Sequence, residues 1–544
     1  MMRFLKVSTF LFVMLLGLML SGFSTSVFAQ SECNSPSYAK TASNGKINWG
    51  QFPVFSLPFK LIYNGPRLGD SLQSPLKHGF SHLATFTQYD SQLARDKRAL
   101  IWYGVASIAG QPWYEIESPW NNDLTLYKQK WASEMQSFAT LFTNPISKKN
   151  PDVDLFIVDI ERELPTDAAI RLLKNEALVP NQYKALTDLD FINRYKKDLS
   201  KLYAEPIAYL KANEFPATTQ IASYSDAPIK RSFYPLNYTW QEWQTSNLVL
   251  NYYMQDTLTN QVGGAFYNQN TFLTPSAYLC YENRGSKQYA NIAYQLFQIE
   301  ANKARTDKDL VLFEWLKYER CLPSTAYNYD VFVDDNIIEA QAIFPFFAGA
   351  KGIWLWDGAE DVKVNYAAYE TFTNALYRLS QFKDFFTGNY RLFSPKTAYT
   401  NFQESGPLWR AVIKDNSILI AAINEFAEDS QTTDLVVSYG NWSQKITLQG
   451  KQTYLCSFSL PESANSYGVW ANPNDGSFSF TNLNGKVLSG VLRVFDMLGR
   501  EVYTAQQNAG LTYTNVSLTV PTGHYVVRYE EDGQAFSEKI TVVR

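Results

Sequence analysis

Eight apolar, β-rich runs separated by helix-like stretches constrain this chain more than any other feature of it. They are Phe55–Asn64, His82–Gln88, Arg98–Ala106, Asp152–Glu161, Gln220–Asp226, Asn247–Asp256, Asp309–Tyr318 and Ala350–Gly358. Between them lie the helix candidates Leu124–Leu141, Asp188–Ala212, Tyr289–Lys303, Ile337–Phe347 and Tyr366–Phe382. Strands that are apolar on both faces belong in parallel sheets covered by helices. Eight of them alternating with helices predict an α/β fold, a (β/α)8 TIM barrel over residues 30–388. A doubly wound open sheet competes, but no glycine-rich phosphate loop follows the first strand.

The rest of the chain reads differently. Residues 1–29 have a basic start at Arg3 and Lys6, an apolar stretch from Phe10 to Leu20, and Val27-Phe28-Ala29 before Gln30. These are the marks of a secretory signal peptide. No later stretch reaches the roughly 18 apolar residues of a membrane span, so no integral membrane segment is expected after signal removal. After Phe382 short alternating strands broken by Gly, Asn and Asp predict a small antiparallel β-sandwich over residues 389–463, and a second small all-β domain over 464–544.

Charge and metal-ligand chemistry narrow the function. A net charge of -4 with 18% charged residues gives no electrostatic case for nucleic acid. Cys33, Cys280, Cys321 and Cys456 make no metal-ligand spacing, although an exported chain allows a Cys280–Cys321 bridge. His78, His82 and His524 are too few and scattered for a zinc site or a histidine-based triad. No metal and no cofactor is implied, and chemistry falls to carboxylates and tyrosines.

The Asp152–Glu161 run carries the main candidates. Side chains two apart in a strand share a side, so Asp159 and Glu161 emerge together where the apolar run stops. Glu314 ends the Asp309 run in the same way. Tyr103, Tyr224, Tyr252, Tyr253, Gln255, Trp315, Trp354, Trp356 and Asp357 gather near the closing ends of their runs and are expected to line a substrate cleft. In a (β/α)8 barrel that end holds the active site. Aromatics make up 15% of the chain, and Trp and Tyr suit sugar rings, offering an apolar face and a polar edge. The expected substrate is carbohydrate.

Two resemblances sharpen this. The stretch Ile157-Val158-Asp159-Ile160-Glu161-Arg162-Glu163 resembles the strand-four motif of hyaluronidases, relatives of the chitinases, and Gly349 to Asp357 resembles that family's last strand. The chitinase version has a further Asp where Ile157 stands. The resemblance implies a glycosidase in which Glu161 is the general acid. Asp159 would orient a substrate N-acetyl group that attacks the anomeric carbon, and Tyr252 or Tyr253 would hold that group. A desolvated Glu161 beside an ionised Asp159 would have a raised pKa. The chain is also similar to the retaining glycosidases whose two glutamates end strands four and seven, which implies Glu161 as acid/base and Glu314 as nucleophile. That clan has Asn before its acid, whereas Ile160 stands here. A glycan-binding surface protein without catalysis is the alternative reading.

The C-terminal residues carry a third resemblance. Asn472-Pro473-Asn474-Asp475-Gly476, Phe495 to Val502, Pro521 to Arg528 and Lys539 to Arg544 resemble the type IX secretion sorting domain of Bacteroidota. Gly499 and Gly523 sit where hairpins need positive φ. The resemblance implies the type IX secretion machinery as a partner, and a protein exported through the periplasm, then released or attached at the cell surface.

Overall fold

A computed structural model describes residues 46–67, 72–106, 119–120, 123–141, 152–161, 164–177, 179–230, 250–256, 259, 261–279, 290–319, 331–357, 365–439, 442–461, 467–470, 472–483, 486–507, 510–531 and 534–543, with Cys33 and Tyr38. The expected signal peptide and the Cys280–Cys321 pair lie outside the described residues.

Seven short parallel strands carry the first part of the chain: β1 (Lys60–Asn64), β2 (His82–Leu83), β3 (Ala99–Trp102), β4 (Leu155–Val158), β5 (Gln220–Ser223), β6 (Val311–Glu314) and β7 (Gly352–Trp356). They form two parallel sheets, in the orders β2-β1-β7-β6 and β3-β4-β5. Single parallel bridges join the sheets. Leu83 pairs with Arg98 on one side, and on the other Thr274 pairs with Tyr224 while Leu273 and Ser276 pair with Leu310 and Phe313. Ile62, Ala99, Leu155, Ile157, Ala222, Val311, Phe313 and Trp354 meet in one core fed by both sheets. Their alternate neighbours, among them Leu61, Leu100, Phe156, Ile221, Leu312 and Leu355, pack instead into the helix-side core. That alternation follows from the period of two along a strand.

All five helix candidates are helices: α1 (Thr125–Ala139), α2 (Asp188–Tyr209), α3 (Asn291–Lys303), α4 (Asp335–Phe347) and α5 (Tyr366–Ser380). Two of the five, α2 and α4, begin on side-chain caps. For α2, the Thr187 hydroxyl accepts from Asp190 N at 3.2 Å, and Asp188 and Asp190 sit in the positive first turn. Its stripe of Phe191, Ile192, Tyr195, Leu199, Leu202, Tyr203 and Ile207 is buried.

The Asn247–Asp256 strand is not formed in its described part. Leu250 makes one antiparallel bridge to Ile229, and Tyr252–Met254 is a single 3-10 turn whose Tyr253 N donates to Asn251 Oδ1 at 3.0 Å. The place between β5 and β6 belongs to residues 271–277, where Thr271 N donates to Ile221 O at 2.7 Å and Phe313 N donates to Pro275 O at 3.0 Å. Pro275 has no N–H to give a ladder, so this segment pairs only in isolated bridges.

The antiparallel part has two cores. Strands β8 (Arg391–Phe393), β9 (Leu408–Lys414), β10 (Ser417–Ile423) and β13 (Tyr454–Ser459) form one sheet, and β11 (Thr432–Tyr439) with β12 (Trp442–Gln449) forms a hairpin over it. Trp409, Ile418, Ile420 and Phe458 pack against the hairpin, whereas Leu408, Val412, Leu419 and Leu455 face the helix-side core. Cys456 of β13 is bonded to Cys33. The second core lies between β14 (Tyr467–Trp470), β15 (Ser477–Asn482) and β18 (Tyr513–Ser517) on one side and β16 (Val491–Asp496), β17 (Glu501–Gln506), β19 (Gly523–Glu531) and β20 (Gln534–Val542) on the other. Gly499 has the expected positive φ, at 80°, and Asp496 Oδ1 accepts from Leu498 N and Arg500 N beside it. Gly523 does not; it opens β19 in ordinary backbone. Among the described residues no helix is long and apolar enough to cross a membrane.

Candidate active site

Past the carboxyl end of β4, Asp159 keeps the parity of Leu155 and Ile157, which face the core shared by the two sheets. Asp159 N donates to Trp102 O at 3.1 Å, which carries the β3–β4 pairing one residue past the strands. Glu161 then turns into the left-handed region, with φ 46°, and its side chain is exposed. A non-glycine residue held there stores backbone strain of about 1 kcal/mol or more. Asp159 is only 7% exposed, and its Oδ1 has no hydrogen-bond partner.

A third carboxylate joins them. Asp226 follows β5, two residues beyond Tyr224, which pairs next to Val158 through Tyr224 N to Val158 O at 2.9 Å. Its oxygens accept from Ser223 Oγ at 2.6 Å and Asn251 Nδ2 at 3.1 Å. Burial, and then the fields of Glu161 and Asp226, push the Asp159 carboxyl up to about 8. Burial raises Asp226 to about 6, against the hydrogen bonds from Ser223 and Asn251. Of these carboxyls, Asp159 has the surroundings that most favour the protonated form. The expectation had been a desolvated Glu161, and Glu161 lies in solvent.

Aromatic rings stand beside the acids. Trp356 Nε1 donates to the Tyr103 hydroxyl at 3.0 Å, and burial, with the nearby Asp159 and Glu161 carboxyls, raises that phenol above its ordinary value. Trp315 packs edge-on to Trp356 at 5.4 Å between ring centres, and Tyr278 lies 5.9 Å from Trp315 and 6.0 Å from Trp356. Trp315 Nε1 is buried without a partner. Tyr224 packs on Phe313 and Tyr278, so it supports this group from below.

Other predicted residues lie elsewhere. Glu314 shares the parity of Leu312, so it points into the helix layer and is fully buried. Gln295 Nε2 of α3 donates to its Oε1, and Gln341 Nε2 of α4 donates to its Oε2 at 3.0 Å. Burial pushes this carboxyl up to about 8. Tyr252 and Tyr253 pack in the helix layer. Tyr253 stacks on Tyr203 of α2 at 4.2 Å, and the Tyr252 hydroxyl donates to Pro165 O at 3.3 Å. Gln255 pairs its backbone with Val262 in a turn. Trp354 is fully buried in the sheet core, stacked on Phe313 at 5.1 Å. Asp357 accepts from the Tyr369 hydroxyl of α5. Sequence reasoning missed Tyr278 because Pro275 disguised its segment, and it gave Asp226 and Asn251 no role.

A Ser-His-Asp line exists as well. Ser81 Oγ lies 2.7 Å from His82 Nδ1, and His82 Nε2 lies 3.1 Å from Asp154 Oδ2. It sits at the amino ends of β2 and β4, and Ser81 Oγ already accepts from Leu61 N at 2.8 Å. That bond ties down a backbone donor, which gives Ser81 a structural task. Among the described residues no group of His, Cys, Asp or Glu is placed to hold a metal ion.

No protein-family model matches the sequence, and no curated protein matches it. Among solved structures, the chain is similar to bee venom hyaluronidase at 13% identity, over 59% of this chain and 99% of that one, with a TM-score of 0.35. The bee venom enzyme in complex with a hyaluronic acid tetramer gives 14%, 57%, 94% and 0.35 in the same order. An endo-β-1,4-mannanase double mutant from Cellulomonas fimi gives 11%, 82%, 77% and 0.28. At TM-scores this low, weight falls on the side chains themselves.

Proposed function

We propose that this protein is a secreted glycoside hydrolase acting on an extracellular polysaccharide or glycoconjugate, with Glu161 as general acid and Asp159 as its partner. One observation carries the reading. Asp159 and Glu161 follow β4 close enough for one to act on the other's carboxyl, Asp159 keeps a buried oxygen without a partner, and Tyr103, Tyr278, Trp315 and Trp356 stand together beside them. Acid catalysis of glycoside cleavage needs a protonated carboxyl near the leaving oxygen, and the rings supply flat apolar faces for sugars. The strands and their bridges close, on this proposal, into a (β/α)8 barrel whose eighth position is residues 271–277.

Substrate assistance through an N-acetyl group is favoured over two glutamates. Asp159 is poised to take the acetamido N–H, whereas Glu314 is spent on Gln295 and Gln341. Export is part of the proposal, with residues 464–544 as a type IX sorting domain and the Cys33–Cys456 bond suited to an oxidising compartment.

The test is hydrolysis of a glycan panel, with and without N-acetylhexosamine, by the mature protein and by Glu161→Gln and Glu314→Gln. Cleavage of N-acetylated members alone, lost in Glu161→Gln and kept in Glu314→Gln, is expected. Binding without cleavage of any member would replace the enzyme by a glycan-binding protein.

A further inference from the structure

We propose that Asp226 is a positioning residue for this site: its carboxylate, fixed by Ser223 and Asn251, keeps one proton on the Asp159–Glu161 pair in neutral solution. The inference rests on the glycosidase reading for its purpose and on the following geometry for its substance. Asp226 comes from the strand next to β4, and both of its oxygens are held, by Ser223 Oγ at 2.6 Å and Asn251 Nδ2 at 3.1 Å. Both bonds are donated to it, which favours its ionised form. Asp159 has the opposite surroundings. It is buried, its Oδ1 accepts nothing, and among the described residues its charged or titratable neighbours are Glu161 of its own segment, Asp226 after β5 and the Tyr103 phenol after β3. None of these is a cation. A carboxyl so placed keeps its proton, in accord with values of about 8 for Asp159 and about 6 for Asp226.

The proton inventory closes through a cycle. In the resting site the shared proton sits on Asp159, and Asp226 is ionised. A substrate acetamido N–H arriving at Asp159 favours its anion, and the proton passes from Asp159 to Glu161. Glu161 gives it to the leaving oxygen as the acetamido oxygen bonds to the anomeric carbon and the glycosidic bond breaks. Water then adds at the anomeric carbon as the bond to the acetamido oxygen breaks, Glu161 takes the proton that water sheds, and Asp159 recovers it. Asp226 forms no bond in this cycle. Its charge decides up to what pH the pair still holds a proton to donate.

Two readouts test this separately from the activity itself. The first is the carbon-13 NMR titration of the Asp159 carboxyl in the full chain without substrate, assigned by Asp159→Asn. Asp226→Asn should lower its midpoint by about 1 pH unit or more, the size expected on removing a near like charge. Ser223→Ala, which removes one donor to Asp226 and disturbs the fold less, should move it the same way by a smaller amount. An Asp159 midpoint unchanged in both variants overturns the proposal whether or not any glycan is cleaved. The second is the pH profile of kcat/KM on a cleaved N-acetylated glycan. Its basic limb should move to lower pH in Asp226→Asn and return towards its original position in Asp226→Glu. A uniform loss of rate with the limb in place would make Asp226 merely structural and overturn the proposal. If no glycan is cleaved, the glycosidase reading fails while the titration still decides the role of Asp226.

Discussion

Replacing Glu314 by Gln should leave turnover intact and make the protein more stable at neutral pH. The side chain is fully buried between β6, α3 and α4, and its carboxyl is raised from 4.5 to about 8. For an acid raised in this way the sign is unfavourable: below the unfolded value both states carry the proton and nothing is lost. As pH rises above about 4.5 the unfolded state releases its proton and the native state keeps it, so stability falls by about 1.4 kcal/mol per pH unit. The fall stops near the native value of about 8. Between those limits the cost is on the order of 5 kcal/mol, and about 3 kcal/mol of it is present at pH 7. Glutamine does not titrate, and the Gln295 and Gln341 amides, each with an oxygen free of partners, can turn to meet it. The assay is urea denaturation followed by tryptophan fluorescence from pH 5 to pH 8, for the two proteins in parallel. Glu425 and Glu538 are also raised, each to about 7, so the difference between the two proteins isolates Glu314. Equal pH slopes would refute the buried protonated carboxyl, and a dead Glu314→Gln enzyme would return it to the mechanism as nucleophile.

Three further outcomes are expected. Glu161→Gln should abolish turnover, with the melting temperature within about 1 °C of the parent because the side chain is exposed; full activity would remove Glu161 from the reaction. Trp356→Ala should weaken oligosaccharide binding roughly tenfold, about 1.4 kcal/mol, as it strips a ring face and the bond to Tyr103, and titration calorimetry reads this directly. Cys33→Ser should destabilise the chain by roughly 2–5 kcal/mol, so dithiothreitol should lower the melting temperature of the parent by more than that of the variant.

How far the sequence could be read is seen best at β6. Val311 to Glu314 is apolar on both faces, so its composition marks a buried strand but does not show which side each residue faces. Glu314 and Trp315 are both at the strand end. Only the packing of Leu312 and Phe313 into different cores assigns the glutamate to the helices and the indole to the site. At β4 the same ambiguity did no harm, since Asp159 and Glu161 share a parity. The Asn247–Asp256 run shows the reverse error. Its aromatics and aliphatics mimic a strand, but Asn251 turns the chain, and Tyr252 and Tyr253 bury themselves against α2. The segment that does pair there carries Pro275, and a proline argues against a strand in any reading from pattern alone. The five long helices were legible from their length and apolar spacing, whereas the short helices Asp167–Leu173, Asn181–Lys184, Gly264–Gln269 and Ala398–Glu404 were not.

The bond between Cys33 and Cys456 joins residues 423 apart, so nearly every described element from β1 to β13 lies within one covalent ring. A protease that nicks this ring once leaves both pieces in a single molecule, and only a reducing gel would reveal the cut. Strands β14 to β20 hang outside it. One cut between Pro461 and Tyr467 breaks their only covalent link to it, while the remainder of the chain stays tied end to end.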